Sequence, residues 1–157
     1  MRLEYFQLID RIVDLNPAER TIAVEATVPT ESTIFEGHFP GHPLMPGVLL
    51  AEAMAQTSGW LIIALNRFER MPFLAAIKEL KLRSFVQPGQ QLALDATLVH
   101  DGSGFAMTRA RTHVEGKLVC DATITFRVVE FPNPEMRGHM ESLAKVLEFP
   151  MGALADG

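Results

Sequence analysis

The sequence predicts an α+β fold in which one long apolar helix is wrapped by a curved, mainly antiparallel sheet. Three observations lead there. Residues 47–66, GVLLAEAMAQTSGWLIIALN, are apolar on nearly every side, so a helix in that place needs protein around it. Four strand-length segments follow it, at 73–82, 91–100, 105–115 and 117–129, with glycine-containing turns between them. A further segment, 20–30, precedes it and alternates Ile22, Val24, Ala26 and Val28 on one face. One sheet face has to cover the helix, because the helix has no polar side to give to water.

The elements follow in order. Residues 3–9 suit a short helix or turn that leads into the strand-like LIDRIVDL. Residues 31–46 are rich in Pro and Gly and read as a loop. The long helix starts at Pro46 or Gly47, since proline fits a first helical turn, and ends near Asn66. Val86-Gln87-Pro88-Gly89 supplies a turn after the next strand. Asp101-Gly102-Ser103-Gly104 and Glu115-Gly116 are hairpin signals, so the last three strands form a meander. The tail carries its own helix signal. Asn133 is placed as N-cap, Pro134 at the first position, and Met136, Met140, Leu143 and Leu147 recur at helical spacing, which reads as a short helix on the surface. The boundaries are a core of 1–130 and a C-terminal extension of 131–157.

The bulk numbers narrow the function. A chain of 157 residues with 48% apolar and 21% charged residues is one ordinary globular domain, long enough for a real core. A formal charge of −5 without a basic stripe argues against nucleic acid as a partner. The lone Cys120 excludes an internal disulfide and suits the reducing cytoplasm. The opening MRLEYFQLIDRIVDL has acids inside its apolar stretch and no small-residue cleavage site, so it does not read as a signal peptide. Residues 47–66 have the length of a bilayer span, but Glu52, Gln56, Thr57 and Ser58 within them argue for burial by protein instead.

Glu52 raises the chemical question. An ionised carboxylate inside an apolar helix is expensive without a partner, so it either escapes to solvent or is used. A helix opening at Pro46-Gly47 aims free N–H groups and the positive end of its dipole at whatever precedes it, a cradle for a developing oxyanion. His38 lies nine residues before Gly47 in a stiff Phe-Pro-Gly loop, and Glu52 and Gln56 share one helix face. A base, an acid and an oxyanion donor within twenty residues suit proton abstraction beside a carbonyl, followed by loss of a β-leaving group. His38 and His42 form an HxxxH, but the Phe-Pro-Gly between them is not helical, so no metal is expected. Nothing calls for a cofactor.

The string GHFPGHPLMPGVLLAEAMAQ resembles the signature of the (3R)-hydroxyacyl–acyl-carrier-protein dehydratases of the FabZ type, which have the hot-dog fold. FQLIDRIV resembles that family's opening strand, LRSFVQPGQQL its strand and turn after the central helix, and KLVCDATITFRVV its last strand. The resemblance implies that His38 takes the C2 proton of a (3R)-hydroxyacyl thioester and that Glu52 gives a proton, directly or through water, to the departing 3-hydroxyl. It implies that the Gly47 amide polarises the thioester carbonyl and that Gln56 holds the acid. Related isomerase-capable dehydratases carry Asp at the acid position, so Glu52 favours simple dehydration to a trans-2-enoyl product. A buried apolar setting raises a glutamate's pKa toward that role. Phe39, Met45 and Met54 are either core or acyl-tunnel lining. The implied partner is an acyl carrier protein bearing a phosphopantetheine-linked chain. Arg67, Arg70, Lys78, Lys81 and Arg83 are its candidate basic docking rim, or else scattered solubilising charge. Homodimers are implied, often as trimers of dimers, with His and acid meeting from opposite subunits. Departures stand at Ser84, Phe85 and Gln90, where the family has Arg, Pro and an acid, and they bear on carrier docking and chain preference. The chain looks most like the specialised forms that serve lipid A or very-long-chain acyl synthesis. The rivals are a hot-dog acyl thioesterase and a non-catalytic acyl-binding subunit.

Overall fold

The computed structural model describes residues 1–155. After a single 3₁₀ turn, Leu3–Tyr5, come strands β1 (Arg11–Asn16) and β2 (Thr21–Thr27), a short helix α1 (Thr33–Gly37) and the long helix α2 (Gly47–Leu65). Then follow β3 (Arg70–Leu82), β4 (Gln91–Gly102), β5 (Phe105–Val114), β6 (Lys117–Glu130), helix α3 (Pro134–Val146) and a final 3₁₀ turn, Met151–Leu154. The six strands form one antiparallel sheet in the order β1-β2-β4-β5-β6-β3. This is the expected α+β architecture, a long apolar helix laid across a curved sheet.

The turns are chemically determined. Ser103-Gly104 and Glu115-Gly116 both take positive φ at two successive residues, the two-residue hairpin geometry whose twist matches the flanking strands. The turn centred there lets β4 run to Gly102, two residues beyond the expected end. Register shifts in β1, β3, β4 and β6 bend the sheet around the helix. Inward side chains alternate along β2 (Ile22, Val24, Ala26) and β4 (Leu92, Leu94, Ala96, Leu98), all buried against α2. Met54, Leu61 and Ile63 of α2 are fully enclosed there. Burying each such side chain stabilises the fold by about 1.5–3 kcal/mol. Two of the polar groups that enter this core are paired, the Thr108 hydroxyl donating to Ser58 Oγ at 2.7 Å and the Thr57 hydroxyl to the Ala53 carbonyl at 2.9 Å.

By length and composition α2 could cross a bilayer, but 78% of its most apolar window is buried inside the protein. Its accessible stripe is narrow. Glu52, Gln56 and Gly59 are half-buried, and their i, i+4, i+7 spacing places them on one face.

Three expectations need correction. Residues 31–46 are not wholly loop, because α1 forms within them. Ser32 is its N-cap, accepting from the Ile34 amide at 3.2 Å, and Glu4 accepts from the Ser32 hydroxyl at 2.6 Å and the Thr33 amide at 3.0 Å. That support comes from a distant segment, so local sequence does not announce the helix. β3 starts at Arg70, with Pro72 inside it, because an edge strand can spare one N–H. β1 begins at Arg11, three residues into LIDRIVDL, since the Leu8 amide is bonded elsewhere, to Gln56. The tail helix starts at Asn133 as expected, with the Asn133 side chain accepting from the Met136 amide at 2.8 Å. It packs on the surface as expected, with Ala144 its one buried residue, and the chain just after it turns inward. Ala144, Leu147 and Phe149 join the main hydrophobic core, and the Leu147 carbonyl accepts from the Ile12 amide at 2.8 Å.

Candidate active site

α1 and the turn after it present His38. Pro40-Gly41 makes a tight turn, closed by reciprocal backbone bonds between Phe39 and His42 at 3.0 and 2.8 Å, and Gly41 sits at φ +72°, where a side chain would be strained. The His38 amide donates to Ile34 at 3.1 Å and its carbonyl accepts from Leu44 at 3.0 Å, so its backbone is held on both sides. The ring is held as well. Nδ1 lies 3.1 Å from the Leu44 carbonyl, and the Phe39 ring stacks on the imidazole with centroids 4.0 Å apart. A carbonyl can only accept, so Nδ1 carries the hydrogen in the neutral ring and Nε2 keeps its lone pair. His38 is thereby prepared as a base at Nε2.

Gly47 opens α2, with Pro46 as its N-cap. The N–H groups of a first helical turn have no intrahelical acceptor and lie at the positive end of the dipole. The Leu82 side chain packs where a Cβ on residue 47 would stand, so a larger residue there would have to displace that exposed leucine. Val48 beside it is exposed.

Glu52 is half-buried rather than enclosed, and its environment is organised by Gln56. The Leu8 amide donates to Gln56 Oε1 at 3.1 Å, while Gln56 Nε2 donates to the Phe6 carbonyl at 2.7 Å and to Glu52 Oε1 at 3.1 Å. The two backbone partners allow only one amide orientation, since one can only donate and the other only accept. Gln56 must therefore offer an N–H to Glu52. With Oε1 accepting that bond, Oε2 is left to hold a transferable proton.

The stripe of Glu52, Gln56 and Gly59 floors a cavity of about 450 Å³, within the ~300–1,000 Å³ usual for small-molecule sites. Trp60 and Ile63 of α2, Met71 and Pro72 of β3, and Phe126 of β6 make it mostly apolar. These residues escaped the sequence reading because nothing local distinguishes a cavity wall from core. His38 does not line this cavity. Phe39, Met45 and Met54 do not line it either: Met45 and Met54 are core residues, Cys120 Sγ lying 4.0 Å from the Met54 sulfur, and Phe39 is exposed.

The basic residues are dispersed. Arg70, Lys78 and Lys81 are exposed along β3, which carries Arg70 roughly 35 Å from Lys81 at strand spacing. Arg67 follows the C-terminus of α2, its amide donating to Ala64 at 3.0 Å. Arg83 is 42% exposed and pairs at 2.8 Å with Asp121, whose side chain is 5% exposed. Lys81 and Arg83 flank Leu82, so of the five these two border the Gly47 end of the helix. Among the described residues no group of three or more acidic, His or Cys side chains could hold a metal ion.

The comparisons with known proteins show a family and a fold. The FabA-like domain matches residues 2–123. The chain is 38% identical to the 3-hydroxyacyl-[acyl-carrier-protein] dehydratase FabZ of Ligilactobacillus salivarius over 77% of its own length and 86% of the relative's. It is 36% identical to the FabZ of Symbiobacterium thermophilum, covering 83% of this chain and 92% of that one. Among solved structures it resembles a hypothetical thioesterase protein from Streptococcus pneumoniae, solved with coenzyme A. The TM-score is 0.62 at 17% identity, over 78% of this chain and 88% of that one. A conserved protein from Pseudomonas aeruginosa gives a TM-score of 0.63 at 21% identity, over 80% and 91%. At such identities the structural likeness speaks for the fold alone.

Proposed function

This chain belongs to the FabA-like family, and on that premise we propose that it dehydrates (3R)-hydroxyacyl thioesters carried on acyl carrier protein to trans-2-enoyl thioesters. The observation that carries the reading is the pair of prepared groups, His38 with Nε2 bare and Glu52 with Oε2 spare. His38 Nε2 takes the C2 proton as negative charge moves onto the thioester oxygen, which the Gly47 amide receives. The C3–O bond then breaks, Glu52 Oε2 gives its proton to the leaving hydroxyl, and water and the C2=C3 double bond result. Proton exchange with solvent resets both groups.

The active unit is a homodimer in which His38 of one chain meets Glu52 of the other. Two features support it. His38 does not line the Glu52 cavity, and β3 leaves a 13-residue sheet edge with exposed Phe73, Leu74 and Leu82. Further assembly into a trimer of dimers follows the family resemblance and is read by solution mass. Of Phe39, Met45 and Met54, only the exposed Phe39 is free to meet substrate where the second chain completes the tunnel, since the two methionines are core residues. The acidic carrier protein docks beside Lys81 and Arg83, at the end where the thioester must lie. The protein acts in the cytoplasm, and a role in lipid A or very-long-chain supply rests on the sequence resemblance and is read from the acyl-length profile.

Mixing inactive variants tests the reaction and the shared site together. His38→Ala and Glu52→Gln each abolish water loss from 3-hydroxyacyl carrier protein. Unfolded and refolded together in equal amounts, they recover about a quarter of wild-type activity, because half the dimers then hold one intact site. No recovery refutes the shared site. Release of free acid instead of enoyl product by the wild type makes the protein a thioesterase, and neither product makes it a binding subunit.

A further inference from the structure

The cavity beside Glu52 has a wall that the family match does not include. The FabA-like domain matches residues 2–123, while Met140, Leu143 and Val146 of α3, and Leu147 just after it, line the void. Their spacing of three, three and one puts them along one helix face, as the cavity requires. This wall is fixed at its far end. The Leu147 carbonyl holds the Ile12 amide at 2.8 Å. Phe149 is buried with its ring 6.1 Å from Trp60 and 5.3 Å from Phe68, centroid to centroid. Met140 and Leu143, by contrast, are only half-buried, one turn apart, with their packing incomplete on the side of the void. A helix anchored by its C-terminal end, with two incompletely packed apolar side chains turned to an apolar slot, has an unused surface shaped for a hydrocarbon.

We propose that α3 sets the acyl-chain length the enzyme accepts, with Met140 and Leu143 as the specificity-determining residues. This rests on the dehydratase reading and deepens it. The thioester end of the substrate lies at Glu52, and its alkyl chain runs along the stripe of Gln56 and Gly59 toward α3. Each methylene that finds apolar wall instead of water improves kcat/KM about fourfold, and the gain ends where the chain meets Met140 and Leu143. Leu143→Phe shortens the slot; Met140→Ala and Leu143→Ala lengthen it.

The test uses the full-length protein and two readouts. The first is kcat/KM for a ladder of 3-hydroxyacyl carrier proteins of increasing chain length. The second needs no turnover. Trp60 is the sole tryptophan of the chain and lines the cavity, so alkyl thioesters of pantetheine brominated at the chain terminus quench its emission when they enter. Leu143→Phe is expected to move the cut-off shorter by at least two carbons in both readouts. Met140→Ala and Leu143→Ala are expected to move the cut-off longer. The half-buried positions let all three variants fold, which thermal melting checks. An unchanged length profile in all three folded variants overturns the proposal while leaving the dehydratase reading intact. If no chain length loses water, the dehydratase reading has failed, and Trp60 quenching still decides: a shifted cut-off upholds α3 as the ruler, an unshifted one removes it.

Discussion

Replacing Gln56 by methionine keeps the length of the side chain and removes every hydrogen bond it makes. The Leu8 amide, on a residue with no exposed surface, loses its acceptor at 3.1 Å and is left buried without a partner. Such a group costs about 1–3 kcal/mol. The Phe6 carbonyl can turn to water, so its loss adds little. A net destabilisation of about 2 kcal/mol in a domain of this size lowers Tm by about 4–8 °C. The catalytic consequence is separate. Glu52 loses the 3.1 Å donor that leaves Oε2 as the proton carrier, and a mis-set acid costs on the order of 10²-fold in kcat. KM should change less than about threefold, because methionine still floors the cavity with a chain of the same length and only the hold on the acid is lost. Melting curves and steady-state dehydration of a 3-hydroxyacyl carrier protein measure the two effects. A folded variant whose kcat stays within twofold while Tm falls would refute the orientation argument and leave Gln56 a structural clamp. An unchanged Tm would refute the account of the Leu8 amide.

Two other perturbations separate structure from recognition. Arg83→Ala strips a nearly buried Asp121 of its ionic partner, and because the guanidinium is 42% exposed the cost is about 1–3 kcal/mol, seen as a lower Tm. If Arg83 served carrier docking alone, KM would rise with no change in melting. The Glu4 carboxyl is held down at about 2 from its ordinary 4.5, first by the Ser32 hydroxyl and then by backbone and Thr33 donors. A lowered folded pKa means its contribution is complete above the ordinary value and is lost as pH falls from about 4.5 toward about 2. Glu4→Gln should therefore melt below the wild type near neutrality, with the gap narrowing under about pH 4.5; a gap constant through that range would show that Glu4 does not hold α1 by its charge.

Much of the fold is written locally. Period-two alternation in β2 and β4, the glycine turns before β5 and β6, and the Asn133-Pro134 cap of α3 each placed an element within a few residues. The boundaries that shifted did so where a distant partner intervened. Glu4 builds α1 from 29 residues away, Gln56 takes the Leu8 amide before β1, and the edge position of β3 admits Pro72.

The site divides along the same line. Sequence alone pointed to the residues proposed to carry the chemistry, because a histidine in a Pro-Gly loop, a glycine opening a helix and an acid four residues before a glutamine are short-range patterns with short-range physics. It also determined the family, through motifs that recur along most of the chain. Only the tertiary structure decided how those groups are prepared. The tautomer of His38 depends on the Leu44 carbonyl, and the orientation of Gln56 depends on two backbone groups nearly fifty residues away. Only the tertiary structure, too, separated Met54 in the core from Met140 on the cavity wall. An apolar side chain reads alike in either place until its neighbours are known, because burial belongs to the packing of the whole chain and not to the residue.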